Sequence, residues 1–216
     1  METQTLTVSV SESIGTVSCI MIKPSTMKAL VVLGHGAGAG MNHSFMELLA
    51  TQLGSHGIGT LRYNFPFVEQ RKKRPDVPAI SEKTVASVLV SANELSENVP
   101  LFAAGKSFGG RMTSQYLSKA DPAFVKGLIF FGFPLHPAGA PATTRAAHLD
   151  TVKKPMLFLQ GTRDGLANLQ LINEVCTKLP LAKLVTFEGA DHSFKSGKKD
   201  FISLLVGETD AWISSF

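Results

Sequence analysis

Gly105-Lys106-Ser107-Phe108-Gly109 is the stretch that most restricts how this chain can fold. Before it runs the apolar Leu101-Phe102-Ala103-Ala104; after it, Phe108, Met112 and Tyr116 recur at helical spacing. A strand must therefore pass into a helix through one very tight turn. Such a turn needs small residues two before and two after its central Ser107, because a side chain at Gly105 or Gly109 would collide with the neighbouring strand or helix. The serine hydroxyl is then held at the strand tip, above a helix N-terminus whose free N–H groups favour negative charge. The same letters also end a phosphate-binding loop, G-x-x-x-x-G-K-[ST]. That motif needs glycine at position 100, which is Pro100, and the residues between are apolar rather than glycine-rich.

Apolar runs on either side repeat the pattern. Leu6, Val8 and Val10 alternate with Thr7 and Ser9, and Val17 to Ile22 reads as their antiparallel partner across Gly15. Ala29–Leu33, Lys126–Phe131 and Pro155–Gln160 read as strands buried on both faces, with Ile58–Tyr63 and Ala182–Phe187 as further strands. Between them lie helical stripes: Phe45, Leu48, Leu49 and Leu53; Val85, Val88, Leu89, Ala92 and Leu95; Leu169, Ile172, Val175 and Cys176; and finally Phe201, Leu204, Leu205 and Trp212. Ser44 with Glu47 looks like a capping box, and Asn64 to Ile80, with Pro66, Pro75 and Pro78, like a long polar loop. This alternation predicts an α/β fold: a mostly parallel twisted sheet with helices on both faces and an antiparallel N-terminal edge. A chain of 216 residues without linker or low-complexity segment is expected to form one domain over 1–216.

Composition narrows the function classes. The formal charge of +4 is mild. The basic run Arg71-Lys72-Lys73-Arg74 reads as a solvated loop or a patch for an anionic partner. It has no interleaved aromatics, so no nucleic acid is expected as a partner. Cys19 and Cys176 suit a reducing compartment and packed apolar positions, with no disulfide framework and no metal site. The start of the chain lacks a basic region and an apolar core, and no run reaches the ~20 apolar residues of a membrane span. The expectation is a soluble cytoplasmic protein without a membrane partner. The sequence carries nothing that sets an oligomeric state.

In an open parallel sheet, function collects in loops at the strands' carboxyl ends. One such loop carries Ser107. Gly161-Thr162-Arg163-Asp164 offers a carboxylate, and Gly189-Ala190-Asp191-His192 an imidazole. A serine hydroxyl needs a base, histidine titrates near neutrality, and a carboxylate on the other ring nitrogen fixes the tautomer. Asp164 suits that part better than Asp191, which is adjacent to His192 and poorly placed to reach its ring. Taken singly, each is unremarkable as a turn residue, a helix cap or a solvated histidine. Together, each at a strand end and in this order, they predict a catalytic Ser107–His192–Asp164 set. A fourth loop, Gly34-His35-Gly36-Ala37-Gly38, would supply the N–H of Ala37, beside that of Phe108, to an oxyanion.

Lys106, Arg62, His35 and Gly36 are the candidate substrate contacts. Lys106 either meets an anionic group or points to solvent, and His35 either braces its loop or packs as an ordinary core histidine. Arg145 and His148 read as a solvated turn that could also reach substrate. A rival reading treats Gly34-x-Gly36-x-x-Ala39 as a dinucleotide fingerprint. The acid that it expects about 20 residues further on is missing from Leu61-Arg62-Tyr63-Asn64, although Arg62 suits a phosphorylated cofactor. An NADP-binding oxidoreductase and a hydrolase-like scaffold with an idle triad therefore remain as alternatives.

Six segments together resemble the α/β-hydrolase superfamily along nearly the whole chain: Gly34–Gly38, Arg62–Pro66, Gly105–Arg111, Gly132–Pro137, Gly161–Asp164 and Asp191–Phe194. The resemblance is greatest to a small lid-less branch of dienelactone-hydrolase-like proteins. It extends to the group containing testis-expressed protein thirty and the hydrolase-like domain of an NSL histone acetyltransferase complex subunit. It implies a Ser107–Asp164–His192 triad with no cofactor. With no room for a lid between Gly132 and Lys154, the expected activity is serine hydrolysis of a small soluble carboxylic ester or thioester.

Overall fold

The chain first folds back on itself. In the computed structural model, which describes Met1–Phe216, β1 (Glu2–Ser11) and β2 (Gly15–Lys23) pair antiparallel, with Gly15 at φ 87° in the turn. β2 lies antiparallel to β4 (Ile58–Tyr63), with Cys19 opposite Tyr63. From there the sheet is parallel: β4, β3 (Ala29–Gly34), β5 (Leu101–Lys106), β6 (Val125–Phe131), β7 (Met156–Gly161) and β8 (Ala182–Phe187). The full order is β1-β2-β4-β3-β5-β6-β7-β8.

Successive side chains of a strand point to opposite faces, so each buried strand feeds two cores. On one face Leu30, Val32, Ala103, Leu128, Phe130 and Phe158 pack with α3 (Pro78–Leu95), α4 (Phe108–Leu117) and α5 (Leu169–Lys178). On the other, Val31, Leu33, Phe102, Ile129 and Leu157 pack with α1 (Ser44–Ser55) and α6 (Ile202–Ile213). Phe130 is fully buried, with ring centroids 4.4 Å from Phe158 and 5.1 Å from Phe133. Phe130→Ala is expected to destabilise the fold by about 3–5 kcal/mol, the usual cost of the lost burial plus the cavity left behind. The urea midpoint checks this; a shift worth under ~1 kcal/mol would contradict it.

Two local expectations need correction. The cap of α1 is His43, not Ser44: His43 is extended, and its Nδ1 accepts from the Phe45 N–H at 3.2 Å. Residues 64–80 are not one loop. A short α2 (Pro66–Glu69) forms there, and α3 begins at Pro78. Both prolines sit in the first helical turn, where the missing N–H has no intrahelical partner to lose. A small hairpin, β9 (Lys195–Ser196) with β10 (Lys199–Asp200), also follows the His192 loop. Between β6 and β7 lie two single 3₁₀ turns and no lid domain. No helix is long and apolar enough to cross a membrane.

Candidate active site

Ser107 sits between β5 and α4 at φ 50°, ψ −113°, a conformation that residues with a Cβ seldom adopt. The packing around it enforces the strain. A Cβ on Gly105 would collide with the backbone of Gly109 and Gly110. One on Gly109 would lie 2.5 Å from the Gly34 carbonyl carbon and 2.8 Å from the His35 oxygen. The Ser107 N–H donates to the Phe131 carbonyl at 3.2 Å, tying the turn to β6.

His192 arrives from the loop after β8, and Asp164 from the loop after β7. The Ser107 Oγ lies 2.8 Å from His192 Nε2, and His192 Nδ1 lies 2.7 Å from Asp164 Oδ2. A carboxylate only accepts, so Nδ1 carries the proton and Nε2 offers its lone pair to the hydroxyl. Asp164 is buried and takes two further donors, Gln160 Nε2 at 2.6 Å and the Leu166 N–H at 2.7 Å. Asp191 instead closes its own turn, accepting from the N–H groups of Ser193 and Lys195. Gln160 was not anticipated. Its Oε1 accepts from the Phe133 N–H at 2.9 Å, so one amide both positions Asp164 and ties it to the β6–β7 loop. The available signal was a lone amide ending the apolar run Met156–Leu159, since a buried amide needs partners.

The loop after β3 faces the serine. Gly36 and Ala39 close a turn, and the Ala37 N–H donates to no backbone carbonyl. The Phe108 N–H, in the first turn of α4, has no intrahelical acceptor. Ala37 lines an open cavity of about 620 Å³ that reaches Ser107 and His192, with Gly36 and Lys106 also among its lining. Phe45, Met46, Leu48, Leu166 and Ile202 form its apolar side, and His43, Lys195 and Asp200 its polar rim.

Arg62 lies away from the cavity, and His35 and Lys106 are held by partners of their own. Arg62 is 4% exposed, does not line the cavity, and donates from Nη1 to the Met41 carbonyl at 2.8 Å. Held there, it is also unavailable to a cofactor phosphate, which removes the residue on which the dinucleotide reading rested. His35 is fully buried against Phe65 and Phe67. Its Nδ1 pairs with the Gly36 carbonyl at 2.7 Å and its Nε2 accepts from the Phe65 N–H at 3.1 Å. Burial pushes its pKa down to about 4, so it braces the loop as a neutral ring. Lys106 lines the cavity yet does not point into solvent: its Nζ donates to the His192 carbonyl at 2.6 Å. Of the weaker candidates, His148 Nε2 is engaged by Ser114 Oγ at 2.7 Å and Arg145 Nη1 donates to the Pro134 carbonyl at 3.4 Å. The basic run is an exposed loop in which Lys72 pairs with Asp76 at 3.3 Å.

The family model of the alpha/beta hydrolase domain matches residues 27–205. A lid-less α/β serine hydrolase from Xanthomonas campestris superposes with a TM-score of 0.78 at 20% identity, covering 100% of this chain and 95% of its own. Dienelactone hydrolase from Anabaena variabilis gives 0.78 at 18%, covering 100% and 98%. Est1E from Butyrivibrio proteoclasticus gives 0.75 at 16%, covering 98% of each chain. At these identities the superpositions establish a shared fold.

Proposed function

Since the chain belongs to the α/β-hydrolase family, we propose that it is a serine hydrolase acting on a small soluble carboxylic ester or thioester. The observation that carries this reading is the continuous line of hydrogen bonds Ser107–His192–Asp164, at 2.8 and 2.7 Å, opening on a cavity. Ser107 Oγ attacks the acyl carbon while His192 Nε2 takes its proton. The charge that develops on the carbonyl oxygen is met by the N–H groups of Phe108 and Ala37. Asp164 stabilises the imidazolium that forms, and the imidazolium then protonates the departing alkoxide or thiolate. Water, deprotonated by His192, attacks the acyl-serine and releases the acid.

The open cavity supports a small substrate, because it has no covering domain to shield a long lipid chain from water. The cellular setting belongs to the same proposal. Both cysteines are free and buried, and burial raises each thiol to about 12, which suits a reducing cytoplasm. A fluorophosphonate probe is expected to label Ser107 alone, mapped by peptide mass spectrometry, and p-nitrophenyl esters are expected to be cleaved faster as the acyl chain shortens. An unlabelled Ser107 would instead mark an idle triad.

A further inference from the structure

Lys106 is the side chain that this mechanism leaves unused. It ends β5, next to the nucleophile, yet its Nζ crosses to the other side of the site and donates to the His192 carbonyl at 2.6 Å. Two rings flank the ammonium: Phe45 of α1, with its centroid 5.7 Å away, and Phe194 of the histidine loop, at 5.3 Å. Phe194 is held at φ 58°, so the loop it belongs to is itself under backbone strain. Gly132, at φ 73°, makes room for the arrangement. A Cβ there would lie 3.2 Å from Lys106 Nζ, 3.6 Å from Asp164 Oδ2 and 3.6 Å from His192 Cε1. Ammonium, carboxylate and imidazole therefore converge on one point beside a glycine whose positive φ would strain any other residue.

We propose that Lys106 is a positioning residue: it clamps the His192 loop to the nucleophile strand, setting the imidazole against Ser107 by a charge-assisted bond and two cation–π contacts. This rests on the serine-hydrolase reading for its effect on rate, though not for its effect on the loop. The charged groups facing Lys106 are Asp164 and Asp191, which favour its charge. His43, Lys195 and Asp200 stand around the same cavity. Burial outweighs the two carboxylates and lowers the lysine to about 8. Raising the pH through that value removes the ammonium and weakens the clamp.

The test compares the unmodified chain with Lys106→Met, which keeps the length and loses the charge. With p-nitrophenyl acetate, Lys106→Met should lower kcat by ~10²-fold with little change in KM, the scale expected of a misaligned catalytic group. The unmodified enzyme should decline towards that rate as the pH rises past about 8, whereas the variant should lack this limb. Independently of turnover, the amide NMR signals of Ser193 and Phe194 should titrate near the same pH in the unmodified chain and not in Lys106→Met. An active enzyme whose Lys106→Met variant matches it in rate, pH profile and amide shifts overturns the clamp. A chain inert towards ester and probe, but with the loop titration intact, retains the clamp and removes the hydrolase reading. If Lys106→Met does not fold, the unmodified chain decides: loop amides that stay flat across this range overturn the proposal.

Discussion

Ser107→Ala is expected to reduce ester turnover by at least ~10⁴-fold while leaving the fold and its urea midpoint nearly unchanged. The size follows from what is removed. Without the hydroxyl there is no acyl-serine, and His192 and the loop N–H groups can only assist direct attack by water. Stability is spared because the Ser107 side chain faces the cavity and makes its one hydrogen bond, at 2.8 Å, to His192. The measurement is kcat/KM on p-nitrophenyl acetate beside a urea curve for each protein. A variant retaining a tenth of the wild-type rate would remove Ser107 from the chemistry. His192 and Asp164 would then be a hydrogen-bonded pair without a catalytic task.

Gly109→Ala should strongly impair folding. The methyl group would meet the backbone of Gly34 and His35, and backbone in the middle of a parallel sheet cannot rotate aside as a side chain can. Gly34 belongs to β3, hydrogen-bonded on one side to β4 and on the other to β5. Relief would have to come from moving α4 away from the sheet, which separates Phe108 and Met112 from the core. A loss of more than ~3 kcal/mol is expected, at the upper end of overpacking effects, with little soluble protein at 37 °C. Thermal unfolding and soluble yield read it out. A variant with the wild-type melting temperature would mean that helix and sheet pack less closely at the elbow than described.

Much of this was legible along the chain. The unbroken apolar run at 29–33 and the apolar residues within 126–131 mark strands covered on both faces, and they became β3 and β6. Ser107, Asp164 and His192 could be chosen because each follows such a run, which puts it at the same end of a parallel sheet. The errors share a cause. Pro66 and Pro78 read as loop residues because proline's effect depends on its position within a helical turn, and local spacing does not reveal that position. Arg62 read as a substrate contact, and His35 as a contact, a loop brace or a packed histidine, because polar residues at strand ends usually face solvent. Here the loop from Gly36 to Met41 folds over them, and its carbonyls absorb their donors. Lys106 was weighed between an anion and solvent, and the carbonyl it actually meets is 86 residues away.

Order along the chain determined the layered fold and which three side chains would reach one edge of the sheet, because strand periodicity and the glycines of the elbow are local constraints. Tertiary structure decided what each polar group does there. A hydrogen bond depends on distance and direction through space, and Gln160, Lys106 and Arg62 acquired their partners only when loops distant along the chain packed together.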